Sequence, residues 1–90
     1  MKFEYDQTKS AANKAKHGID FEEAQALWKD EKHLVIDSAY KAESRSLVIG
    51  SIDGACWVVV VTYRLEVIRI ISCRRARKYE EGLYDQEESN

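Results

Sequence analysis

The residues best suited to chemistry in this 90-residue chain are arginines. Six basic groups fall between positions 64 and 78 (Arg64, Arg69, Arg74, Arg75, Arg77 and Lys78), opposed only by Glu66. A guanidinium holds its donors in a fixed fork that fits phosphate oxygens and neutralises charge developing on them. The densest part is Ile71-Ser72-Cys73-Arg74-Arg75-Ala76-Arg77-Lys78, read as a strand running into a helix. Basic side chains in a first helical turn oppose the helix dipole unless an anion is bound there. Arg69 interrupts an apolar strand and needs a carboxylate, a carbonyl or a phosphate; Glu4, Glu22 and Asp37 are the candidate acids. Arg64 falls at a strand end or turn, where ligand contacts are commonly placed.

A second group, Lys14, Lys16 and His17, precedes Gly18. Lysines at a helix C-terminus complement the dipole without any ligand. His17 offers an imidazole, a side chain able to exchange a proton with a ribose hydroxyl or a leaving oxygen. Cleavage of RNA without metal needs an activated 2′-hydroxyl, in-line attack on phosphorus and charge stabilisation on phosphoryl oxygens. The chain has candidate parts for each. Trp28, Trp57 and Tyr63 are candidates for base stacking or for ordinary core packing. The ordinary reading of the basic run is a solvated face, since Arg77 stands four residues before Glu81 and Arg74 four before Lys78.

Composition narrows the classes. Ninety residues, 44% of them hydrophobic, support one core and one domain spanning residues 1–90. Neither a membrane-length apolar run nor an apolar leader near Met1–Lys9 is visible, so the cytoplasm is the expected location. The only histidines, His17 and His33, lie far from both cysteines, and no metal or other cofactor is expected. Cys56 and Cys73 lie in candidate strands, could be neighbours across a hairpin, and read as reduced, packed thiols. The net charge of −2 conceals a segment of +5 at residues 64–78 beside one of −5 at residues 79–90.

These groups require positioning elements. Asp6 can cap a first helix over Gln7 to Lys16, closed by Gly18. Asp20 and Glu23 have capping-box spacing ahead of a second helix, Phe21 to Trp28. Valine- and isoleucine-rich runs at Leu34–Ser38, Ser46–Ile52, Cys56–Tyr63 and Val67–Cys73 read as four antiparallel strands, with Asp53-Gly54 as a hairpin turn. The last two read as central strands covered by helices on one face. Phe3 to Tyr5 is a candidate edge strand, and a third helix is expected from Arg74 to near Tyr84, with Asp85 to Glu88 frayed. The class is α+β: two N-terminal helices, a four-stranded antiparallel sheet and a C-terminal helix.

The ordered set Phe3-Glu4-Tyr5-Asp6, Lys9, Asn13, Lys16-His17-Gly18-Ile19, Phe21-Glu22-Glu23-Ala24, Ile49-Gly50, Arg69-Ile70-Ile71-Ser72, Arg74-Arg75-Ala76 and Tyr84 resembles the BrnT toxin family of bacterial type II toxin-antitoxin systems. The resemblance covers nearly the whole chain. It implies a RelE-like fold, RNA cleavage that arrests growth, and neutralisation by a ribbon-helix-helix antitoxin, through which the complex binds operator DNA. Carried over by position, Lys16, His17, Arg64 and Arg74 form the catalytic set, with Arg45, Arg69 and Arg75 secondary; Arg77 and Lys78 join these as RNA contacts. The family commonly has tryptophan at Tyr5, an acidic pair at Glu43-Ser44 and alanine at Cys73. The competing class is a non-catalytic regulatory module that binds nucleic acid or protein through the same arginines and has no use for His17.

Overall fold

A computed structural model describes residues 2–37 and 44–89. Strand β1 (Lys2–Glu4) leads into helix α1 (Gln7–His17) and a 3-10 helix, η1 (Glu23–Lys29). Four strands follow, β2 (Leu34–Asp37), β3 (Arg45–Ile52), β4 (Ala55–Arg64) and β5 (Val67–Arg75), and helix α2 (Lys78–Ser89) closes the chain. The sheet order is β1-β5-β4-β3-β2. The four expected strands pair antiparallel, and the N-terminal strand adds a fifth, parallel to β5. Ser38, expected at the end of β2, and Glu43 lie outside the described residues.

Local chemistry accounts for the boundaries. The Asp6 carboxylate accepts from the Lys9 amide at 3.0 Å, and Gly18 ends α1 in the left-handed region at φ 80°. The Asp20–Glu23 capping box forms in both directions, at 2.9 and 2.7 Å. What it starts is a 3-10 turn rather than the expected α-helix, and this segment packs tightly on β3. A Cβ on Gly50 would meet two Leu27 side-chain carbons at 2.9 Å, and Leu27 is fully buried. Gly50→Ala should therefore destabilise the fold by about 1–3 kcal/mol through overpacking. Urea unfolding checks this, and an unchanged midpoint would mean that η1 moves aside without cost. Asp53 and Gly54, at φ 51° and 81°, make the β3–β4 turn with the doubly positive geometry favoured by tight hairpins.

Both sheet faces carry helices, whereas cover on one face alone is the expectation from sequence. α1 and η1 cover the first face, where Phe21, Leu27, Val48, Val59, Val61, Ile70 and Cys73 form the larger core. α2 packs on the second face, where Tyr84 meets Ile49 and Val58. The Tyr84 hydroxyl donates to Asp30, whose carboxylate also accepts from the Ser51 amide at 2.9 Å, and this network ties α2 to η1 and β3.

One irregularity decides which way the arginines point. Register slips at Val60/Val61, so that Val60 faces Ser72 while Val61 faces Ile70. The extra residue on β5 reverses the alternation: Ile68 and Ile70 enter the first core, and so does Cys73 rather than Ser72. Arg69 and Arg74 consequently share the second face. Beside the bulge, the Asn13 side chain substitutes for a strand, donating to the Cys73 carbonyl at 2.9 Å and accepting from its amide at 3.3 Å. The Asn13 side-chain nitrogen also donates to the Ile19 carbonyl at 2.8 Å, so that one side chain fixes the end of α1 against β5.

The cysteines are free and lie in different cores, Cys73 with the first and Cys56 with the second. They are not hairpin neighbours, since Cys73 faces Val59 and Cys56 faces Ser51. Burial pushes the Cys73 thiol up to about 12 and that of Cys56 to about 11. Both therefore stay protonated at neutral pH.

Candidate functional site on the second sheet face

Register places the candidate arginines in rows. Arg45 pairs with Thr62, Thr62 with Arg69, and Arg69 with Glu4, so these four side chains lie side by side across β3, β4, β5 and β1. Opposed residues of a sheet share a face, as do residues two apart on one strand. Arg64 therefore joins the same face one row on, opposite Val67. Leu47, Val60 and Ser72 form the row on the other side, and all three are half-buried. Arg45, Arg64 and Arg69 thus occupy neighbouring positions around the half-buried Thr62 on this face.

Their electrostatic surroundings differ. Arg64 is exposed and has no ion pair or side-chain hydrogen bond among the described residues. Arg69 reaches Glu4 at 3.4 Å, with both side chains more than a third exposed, so solvent screens this pair. Glu4 is one of the three acids that the sequence offered to Arg69. Leu65, next to Arg64, is fully exposed and held at φ 55°, an uncommon conformation for leucine. Nothing in the local sequence marked it.

Arg74 lies on the same face but under α2. Its two terminal nitrogens donate to the two Glu80 oxygens at 2.8 and 2.9 Å, and Glu80 is 1% exposed. Glu80 also accepts from the Arg77 amide at 2.8 Å, capping α2. The Arg74 hydrogen bonds hold the Glu80 carboxyl below the usual glutamate range, and Glu80 in turn raises Arg74. Six residues along β4 separate the Arg64 row from the Arg74 row, roughly 20 Å at strand rise.

The third helix begins at Lys78, four residues later than the sequence suggests, and its backbone is helical as far as Ser89. Arg74 and Arg75 end β5, and the first turn of α2 contains Glu80 and Glu81, which suit the dipole. That turn therefore needs no bound anion to offset its dipole. Arg77 and Lys78 are exposed at the start of α2, while Arg75 turns to the first face with its guanidinium carbon 5.3 Å from the Trp57 ring centre.

Lys16 and His17 are not beside Arg64. β1 ends opposite Arg69, and α1 then passes Cys73 at Asn13, so its last residues lie beyond Cys73 on the first face. That is the end of the sheet with Arg75 and Trp57. Lys16 is exposed, His17 is half-buried, and neither has a side-chain partner among the described residues. His33 is engaged locally, its Nδ1 2.8 Å from the Asp30 carbonyl oxygen. Among the described residues no three His, Cys, Asp or Glu side chains are grouped to hold a metal ion, and no helix is long and apolar enough to cross a membrane.

The architecture is an α+β domain of RelE-like topology with an arginine-bearing sheet face that α2 covers at one end. Residues 5–80 match the family model described as the ribonuclease toxin BrnT of type II toxin-antitoxin systems, and the chain belongs to the BrnT toxin family. No curated protein matches the sequence. Membership supports a ribonuclease-toxin role.

Proposed function

We propose that this protein is a metal-independent endoribonuclease whose scissile phosphate sits over Thr62, held by Arg45, Arg64 and Arg69. The observation that carries the reading is the placement of three arginines on one row and its neighbour, on a face where Arg45 and Arg64 are exposed. The ribose 2′-hydroxyl attacks the adjacent phosphorus in line as the P–O5′ bond breaks, giving a 2′,3′-cyclic phosphate and a 5′-oxygen that takes a proton from solvent. The arginines stabilise the charge gained by the phosphoryl oxygens. Arg74, of the catalytic set suggested by resemblance, acts through its grip on Glu80 by shaping the α2 end of the face. Lys16, His17, Arg75, Arg77 and Lys78 contact RNA away from the reacting phosphate.

In this account the 2′-hydroxyl proton leaves to solvent, because neither histidine lies beside Thr62. Cleavage should rise with pH from 6 to 9 without levelling near the ordinary histidine value, and His17→Ala should keep that profile. A plateau near neutrality that His17→Ala removes would restore His17 as the base. The neutralising partner is a ribbon-helix-helix antitoxin that lays an acidic segment across the arginine rows and carries most of the contact with operator DNA.

The rival, a non-catalytic binding module, draws support from the carboxylates already on Arg69 and Arg74. Labelled naked RNA incubated in EDTA with folded, antitoxin-free protein separates the two. Cleavage supports the nuclease; retention without cleavage supports the module.

A further inference from the structure

A cleft of about 430 Å³ opens on the first face, at the far end of the sheet from Arg64, where the end of α1, η1 and the β3–β4 hairpin meet. Its volume falls within the range of about 300–1,000 Å³ usual for small-ligand sites. Ile19, Ala26, Ile52 and Trp57 form its apolar wall, and the carboxylates of Glu23 and Asp53 stand at it. These acids are not equivalent. Glu23 is committed to Lys14, at 2.8 and 3.0 Å, and to the Asp20 amide. Asp53 is exposed at the hairpin turn and has no side-chain partner among the described residues.

The cationic groups stand beside the cleft and are not among its lining residues. Arg75 lies over the Trp57 ring, and Lys16 and His17 immediately precede Gly18, which also lines the cleft. An aromatic wall, an uncommitted carboxylate and flanking cations together suit a nucleotide. The indole stacks a base, the cations hold its phosphates, and the carboxylate reads hydrogen-bond donors on the base edge. Guanine alone presents two adjacent donors, N1–H and the N2 amino group, to the two oxygens of one carboxylate.

We propose that this cleft is a guanine-binding subsite for single-stranded RNA. Trp57 stacks the base, Asp53 accepts from its N1–H and N2 amino group, and Arg75 with Lys16 holds the flanking phosphates. The subsite lies on the opposite face from Arg64, so it reads a nucleotide several positions from the cleaved bond and sets where cutting occurs. The proposal rests on the ribonuclease reading for the identity of its ligand.

The test titrates the antitoxin-free protein with each of the four nucleoside 3′-monophosphates while NMR follows the Trp57 indole N–H. Guanosine monophosphate should bind about 10-fold or more tightly than the other three, the discrimination expected of one bidentate base contact. Asp53→Asn keeps a residue that tolerates positive φ at the turn, and should bring guanosine monophosphate down to the level of the others. Absence of a saturable Trp57 response, or an unchanged preference in Asp53→Asn, would overturn the subsite. RNA cleavage measured on the same samples separates the two readings. Cleavage without a guanine response removes the subsite and leaves the nuclease, whereas a guanine response without cleavage keeps the subsite and removes the nuclease.

Discussion

Arg64→Ala should lower RNA cleavage by about 100-fold or more while leaving stability within about 0.5 kcal/mol of the wild type. The two halves of this expectation have separate causes. Arg64 is exposed and has no partner among the described residues, so its removal breaks no fold contact. On the open face it is a donor with no carboxylate to give up before binding phosphate. Loss of one preorganised donor to a developing oxyanion costs about 2.7–4 kcal/mol of transition-state stabilisation. Arg64→Lys should recover only part of the rate, because an ammonium keeps the charge and loses the planar fork. Single-turnover cleavage beside urea unfolding checks both halves. A variant that is as stable and as active as wild type would take Arg64 out of the site.

Glu80→Ala should produce the opposite pattern, a loss of about 2–3 kcal/mol of stability. Removing one partner of a buried ion pair costs about 3–5 kcal/mol when the remaining charge is fully enclosed. The Arg74 side chain is 24% exposed, which lowers the expectation. Part of the loss comes from the Arg77 amide, which no longer has its acceptor at the start of α2. Arg74→Ala should destabilise similarly by leaving Glu80 buried and unpaired, and the double variant should lose less than the sum. The Glu80 carboxyl titrates below its ordinary value of 4.5, with the Arg74 hydrogen bonds as the first cause. Its stabilisation is thus complete above about pH 4.5 and is lost as pH falls through the depressed folded value. Urea unfolding across that range should show this acid dependence in wild type and less of it in Glu80→Gln. Equal dependence in both would place the acid sensitivity elsewhere.

The contrast between Arg64 and Arg74 shows what the sequence carried. Local signals were legible wherever one side chain satisfied one nearby backbone group. Asp6, Gly18, the Asp20–Glu23 pair and Asp53-Gly54 all act within four residues, and each boundary they mark appears in the fold. The end of β5 was not legible in this way. Arg74-Arg75-Ala76-Arg77 has good helix formers, but cross-strand pairing with Val58 and Trp57 holds its first two residues extended. Helix propensity is a weak prior against such tertiary pairing. Glu80 was hidden as well, because its partner is six residues away, outside helical contact spacing.

The basic residues were recognised by type, but their grouping depended on a single irregularity. Alternation along β5 without the bulge would put Arg69 and Arg74 on opposite faces, and no Gly or Pro marks Ile71. Arg45 became a neighbour of Arg69 only through the Arg45–Thr62–Arg69 register. The family resemblance groups Lys16 and His17 with Arg64, yet the path of α1 past Cys73 takes them to the other end and the other face. Thr62 was missed altogether, since a threonine in a strand is ordinary until its neighbours are known.

The central claim, transesterification driven by guanidiniums without metal, is tested most directly by the ends of the RNA products made in EDTA by antitoxin-free protein. Attack by the 2′-hydroxyl predicts 2′,3′-cyclic phosphate and 5′-hydroxyl ends, formed at an undiminished rate in EDTA. Products with 5′-phosphate ends, or cleavage abolished by EDTA and restored by a divalent cation, would contradict it.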